Sequence, residues 1–150
     1  VPRASEPLSS SAGAVRGADA GVDLSKSIDE QWHQAAKVGA LDHLKKLHAE
    51  KPELLEKRAR GIGHTALHWA AANAQLSVVE WLLDKGMSAN IRNNGDSTPL
   101  HSAAGGGHVA VVKLLLERGA DQAALDSGDE TAAQLAKSRG HAEVAAMLAS

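Results

Sequence analysis

Two kinds of apolar segment alternate through most of the chain. One is short and alanine-rich, as in Ala70-Ala71-Ala72 and Ala103-Ala104. The other carries Val109, Val112, Leu115 and Leu116 at helical spacing, with Lys113 and Glu117 turned to water. The second pattern predicts an amphipathic helix with one buried stripe. The first predicts a helix thin enough to accept a close neighbour. A glycine such as Gly107 or Gly140 stands between the two and stops the first helix. A polar loop precedes each pair and leads to a threonine. In Thr98-Pro99-Leu100-His101 the threonine is placed to cap a helix, and Pro99 sits where no N–H is needed.

The pattern recurs in register. Thr65, Thr98 and Thr131 stand 33 residues apart, and Val78, Val111 and Val144 keep the same interval, as do Leu82, Leu115 and Leu148. Gly86 matches Gly119, Ala74 and Gly107 match Gly140, and Gln75 falls in the column of His108 and His141. A fixed period of this length means stacked supersecondary units. The predicted fold is an all-α solenoid of helix–turn–helix units with hairpin loops, divided at about 29–60, 61–92, 93–125 and 126–150. The first unit lacks the threonine tetrapeptide but keeps Ala35-Ala36, Gly39, Leu41, Leu44 and Leu47. It matches the second at a spacing of 35, so its loop is longer by two. The last reads Thr131-Ala132-Ala133-Gln134, without Pro or His. End units face water on one side, so atypical termini predict a capped array of four over residues 26–150.

Thr65-Ala66-Leu67-His68-Trp69-Ala70-Ala71 and Thr98-Pro99-Leu100-His101-Ser102-Ala103-Ala104 resemble the ankyrin hallmark. Gly107-His108 through Leu116, with Gly119-Ala120-Asp121, resembles its second half. The resemblance covers about residues 30–149. It implies a slightly curved solenoid that binds proteins through hairpin tips and a concave inner-helix face. Residues 32–71, with Trp32, Pro52-Glu53-Leu54-Leu55, Lys57-Arg58 and Leu67-His68-Trp69, faintly resemble the start of the ankyrin domain in sosondowah-type proteins.

Residues 1–25 differ in kind. They are rich in Ser, Ala and Gly without helical period and predict a flexible tail or linker. Arg3, Arg16 and the serines suit an organellar transit peptide, whereas Glu6, Asp19 and Asp23 oppose it. The first residue is Val, as in a processed product or a piece of a longer chain.

Composition narrows the picture. Hydrophobic residues make up 43%, yet there is no Phe or Tyr and only three Trp, which suits thin stacked layers better than a single broad core. The net charge is -2 with signs interspersed, so no nucleic-acid footprint is present. No apolar run approaches the roughly 18–20 residues of a membrane span. Absence of cysteine excludes disulfides and thiolate metal sites. An intracellular, cytoplasmic monomer is expected.

Chemistry is scarce. His64 and His68 have the i, i+4 spacing of a zinc pair. The resemblance puts His64 at a hairpin tip and His68 past the helix start, and no third ligand follows. No nucleophile elbow, P-loop or His-Glu-x-x-His motif occurs, and Gly105-Gly106-Gly107 lacks the context of a phosphate cradle. Glu80, Asp84 and Glu117 read as solvated charges. Neither metal, cofactor nor catalytic residue is expected.

The remaining assignments are what the resemblance implies. Thr65, Thr98 and Thr131 with Pro99 start inner helices, Gly107 and Gly140 end them, and His68 and His101 tie threonine to neighbouring loop backbone. Asn90 bridges adjacent loops and is a minor candidate for hydroxylation. Partner contacts fall on the hairpin tips, at Ile62, His64, Asn94, Ser97 and Glu130. Others fall on the inner-helix ends, at Ala72, Asn73, Gly105, Gly106, Ser138 and Arg139. Trp81 reads as packing. Trp69 borders the concave face, as packing first and as a binding aromatic second. Gly105 and Gly106 suggest a shallow open track whose filling would block binding without lowering stability. The function implied is a protein–protein interaction module, scaffold or adaptor. The alternatives are a structural subunit of a large assembly and a targeting arm of a multidomain enzyme.

Overall fold

The computed structural model describes residues 21–149. Among them are eight α-helices and no strand. The order is α1 (Ile28–Val38), α2 (Leu41–Glu50), α3 (Ala66–Ala72), α4 (Leu76–Asp84), α5 (Pro99–Gly106), α6 (Val109–Glu117), α7 (Ala132–Ser138) and α8 (Ala142–Ala149). A 3-10 turn at Pro52–Glu56 follows α2 and buries Leu54, which uses the extra length of the first loop. The odd-numbered helices pack side by side in a row, and each even-numbered helix packs on its own partner. The all-helical solenoid expected from the repeat is the fold observed.

Alanine sets the spacing of the inner row. Ala35, Ala36, Ala66, Ala70, Ala71, Ala103, Ala104, Ala132 and Ala136 are all buried, so neighbouring helices approach without bulky side chains between them. The outer helices contribute the larger apolar groups. Val78, Val79, Leu82, Val111, Val112, Leu115, Val144 and Leu148 line the buried stripe in the predicted columns. Between the first two units, Trp32, His48 and Trp81 form a ring cluster with centroids 5.5–6.4 Å apart. Trp81 is therefore packing.

Caps define where each inner helix begins. The Thr98 hydroxyl accepts from the His101 amide at 3.4 Å, and that of Thr131 accepts from the Gln134 amide at 3.2 Å. In the first unit Ser27 does the same for Glu30, whose carboxylate accepts in return from the Ser27 amide. Inner helices end at Gly39 and Gly107, both with positive φ. Ala74 holds the corresponding place in the second unit with φ 59, a region L-residues other than Asn and Asp rarely occupy.

Only residues 21–25 of the flexible tail or linker expected over 1–25 fall among the described residues. Residues 1–20 lie outside the described residues. Val22, however, is buried in the core, and the Asp23 amide donates to Gln34 Oε1 at 2.7 Å. Gln31 Nε2 of α1 also donates to Leu24 O at 3.3 Å and to Lys26 O at 2.8 Å, so the stretch is attached to α1.

Candidate binding surface

The loops ahead of α3, α5 and α7 are hairpins closed by backbone bonds. The Ala59 amide donates to His64 O at 2.8 Å, Asn93 to Ser97 O at 3.0 Å, and Asp126 to Glu130 O at 3.0 Å. Asn93 Oδ1 accepts from Gly95 and Ser97 amides, and Asp126 Oδ1 from Gly128 and Glu130 amides, so each side chain shapes its own turn. The first hairpin has no such residue and turns on Gly61 and Gly63, both at positive φ.

Adjacent hairpins are joined edge to edge. The Asn94 amide donates to Ile62 O and the Ser127 amide to Gly95 O, both at 2.9 Å. Arg58 donates to the carbonyls of Gly63 and Arg92, and Arg92 to those of Asp96 and Leu125. The imidazoles of the tetrapeptides add a second tie. His68 Nδ1 accepts from the Thr65 amide at 3.2 Å, which leaves Nε2–H to donate to Ser97 O at 2.8 Å. His101 repeats this with Thr98 and Glu130 O. Burial holds His68 down to about 4, partly opposed by its bond to Ser97, so the ring is neutral near pH 7. Asn90 Nδ2 donates to Gly119 O at 3.1 Å, and its Oδ1 accepts from the Asp121 amide at 2.7 Å.

A third tie went unassigned in the sequence. His108 Nε2 donates to Ala72 O at 2.9 Å, His141 Nε2 to Gly105 O at 3.0 Å, and Gln75 Nε2 to Lys37 O at 3.1 Å. Each closes the C-terminal end of the preceding inner helix. The signal was the shared column of Gln75, His108 and His141. Arg58 and Arg92 gave no such signal, because they fall outside the 33-residue register.

Six of the residues assigned to partner contact line one groove. Ile62, His64, Ala72, Ser97, Gly105 and Arg139 surround a recess of about 310 Å³ across α3, α5 and α7 and their hairpins. Ile62, 51% exposed, and the half-buried Leu135 are the large apolar side chains that line it. Asn73 and Ser138 are exposed at helix ends, their side chains donating to Trp69 O and Leu135 O. Trp69 is half-buried and lies outside this groove, toward α1.

Three expectations change. His64 is no free tip residue: its ring stacks on His68 at 5.0 Å and its Nδ1 accepts from Asn93 Nδ2 at 2.9 Å. Gly63, at positive φ, directs the chain inward and brings the two histidines together. Among the described residues no three His, Asp or Glu gather as a metal set. Gly105 is buried, not an open track: a Cβ there would lie 3.1 Å from the Arg139 guanidinium and 3.4 Å from Leu135. At Gly106 a Cβ would lie 2.5 Å from His108 Nε2. Filling these two positions requires Arg139 and His108 to shift, so a loss of stability is expected in place of none. Asn94 is exposed, but its Nδ2 donates to Gly61 O at 2.6 Å.

No helix among the described residues is long and apolar enough to cross a membrane. A comparison with curated proteins gives no match. The family model described as ankyrin repeats (3 copies) matches residues 32–126. Such repeats are generally protein–protein interaction modules and typically non-catalytic. With four stacked helix pairs, three of them in 33-residue register, hairpins joined edge to edge and a family match over most of its length, this chain belongs to the ankyrin-repeat family.

Proposed function

We propose that this chain is a non-catalytic adaptor or scaffold that holds a partner protein along its hairpin tips and concave inner-helix face. What supports the reading is the groove across α3, α5 and α7. Small residues form its floor, Ile62 offers an apolar anchor, and Arg139 and Asp126 supply charge of both signs. The inter-unit hydrogen bonds hold the groove in shape before a partner arrives, so little ordering is needed on binding. The protein acts as an intracellular monomer in this reading.

The test uses the full chain and variants that change the groove without touching its ties. Ile62→Glu and Ser102→Arg place charge on exposed and half-buried groove positions. Lys113→Glu, on the exposed face of α6, is the control. Affinity capture followed by mass spectrometry should show one set of proteins retained by wild type and the control and lost by the two groove variants. Retention by all four would overturn the proposal.

A further inference from the structure

The concave face changes character toward α1. Two adjoining recesses, of about 370 and 600 Å³, meet there against Trp69, His33 and Glu30. Lys26, Lys37, Lys57, Arg58 and Arg60 surround them, five cations against the two carboxylates of Asp29 and Glu30. The whole chain, by contrast, has more acids than bases, 18 to 16. Basic charge is therefore concentrated at this end.

Both carboxylates are already engaged. Asp29 pairs with Lys57 at 3.1 Å, and Glu30 accepts from the Ser27 hydroxyl at 2.8 Å. That hydrogen bond, with Lys26 and Arg60 nearby, holds the Glu30 carboxyl below its ordinary range. Lys26, Lys37 and Arg60 form no ion pair with any described residue. Lys37 Nζ lies 5.2 Å from the centre of the Trp69 ring, and His64 packs edge-on to the same ring at 4.7 Å. The indole is thus fixed beneath a long-stemmed cation, an apolar platform with a positive rim. Farther along the hairpin row the sign reverses, at Asp96, Asp126, Asp129 and Glu130.

We infer that this recess takes an acidic extended segment of the partner protein, with an apolar side chain against Trp69 and carboxylates facing Lys26, Lys37 and Arg60. The inference rests on the adaptor reading and names the chemistry of its partner. Exposed pairs are each weak and screened by salt, so several carboxylates are required, and their main effect is on choice of partner and rate of encounter. A nucleic acid fits less well. Its uniform phosphate chain would meet the acidic hairpins next along the row, and the protein's net charge is -2.

The experiment selects displayed random peptides on the full chain and then measures enriched peptides by fluorescence anisotropy. The comparison proteins are the double variant Lys37→Glu with Arg60→Glu, both exposed sites, and the groove variants Ile62→Glu and Ser102→Arg. Circular dichroism confirms that each is folded. Enriched peptides should be acidic with an apolar residue and should bind the double charge reversal about tenfold or more weakly. Raising salt should weaken wild-type binding in parallel. Neutral or basic enriched peptides, equal binding by the double reversal, or no enrichment would overturn the inference, as would displacement of the peptide by a single-stranded oligonucleotide at physiological salt. Peptides that depend on Ile62 and Ser102 but not on Lys37 and Arg60 would sink it while leaving the adaptor reading standing.

Discussion

His108 reaches back to the preceding unit, its Nε2 lying 2.9 Å from the carbonyl oxygen of Ala72. The ring sits where a Cβ on Gly106 would come within 2.5 Å, so one glycine keeps the space that one histidine fills. His108→Ala should cost about 1–2 kcal/mol by leaving the half-buried carbonyl without its donor. His108→Gln should cost less, since Gln75 makes the same bond in the preceding unit. Gly106→Ala should lose much of the same energy, and the two changes should be strongly non-additive in a urea double-mutant cycle. Additive losses would mean that the glycine serves another purpose.

Ala74 occupies positive φ where Gly39, Gly107 and Gly140 stand in the other units. Ala74→Gly should raise stability by about 0.5–1 kcal/mol, because relief of left-handed strain outweighs the greater freedom of glycine in the unfolded chain. Gly107→Ala should act in the opposite direction, and more strongly, since its Cβ would also lie 2.6 Å from His141 Nδ1. Thermal melts of the two variants decide the matter.

The buried His68 ring makes stability depend on pH. Its native pKa is held near 4, below the ordinary 6.5, so between these values the unfolded chain binds more protons than the folded one. Stability from this group is present above about pH 6.5 and falls as the pH is lowered toward 4. At pH 5 the loss should be on the order of 2 kcal/mol relative to pH 7.5. His68→Gln, which places there the residue that the last unit carries at Gln134, should flatten that dependence while costing about 1 kcal/mol at neutral pH. An unchanged pH slope in the variant would contradict the assignment.

Leu115 is fully buried at the centre of α6, and Glu117, two residues on, is exposed. Leu115→Ala should cost about 2–5 kcal/mol. Glu117→Ala should stay within about 0.5 kcal/mol. Chemical denaturation reads both.

Much of the fold is legible in the sequence because it repeats. Columns such as Val78, Val111 and Val144 are buried for the same reason in each unit, and a period exposes them together. The capping box at Ser27 and Glu30 is also readable, but it lies outside that register because α1 is longer than its counterparts. The surface is harder. Glycine at 105 suggests open space, yet the space belongs to Arg139 and Leu135, which come from the next unit. His64 suggests a loop tip, whereas the conformation of Gly63 turns it onto His68. In both cases the side-chain placement that decides the outcome has no periodic signature. The basic recess around Trp69 is similar, since it combines α1, α3 and the first hairpin.

Hydrogen exchange of the full chain, alone and bound to a protein retained by wild type and lost by the groove variants, addresses the central claim most directly. Added protection is expected on the hairpin tips near Ile62 and Asn94 and on the exposed ends of α3, α5 and α7, with α4 and α6 unchanged. Protection confined to α4, α6 and α8 would place the partner on the opposite face and contradict the account.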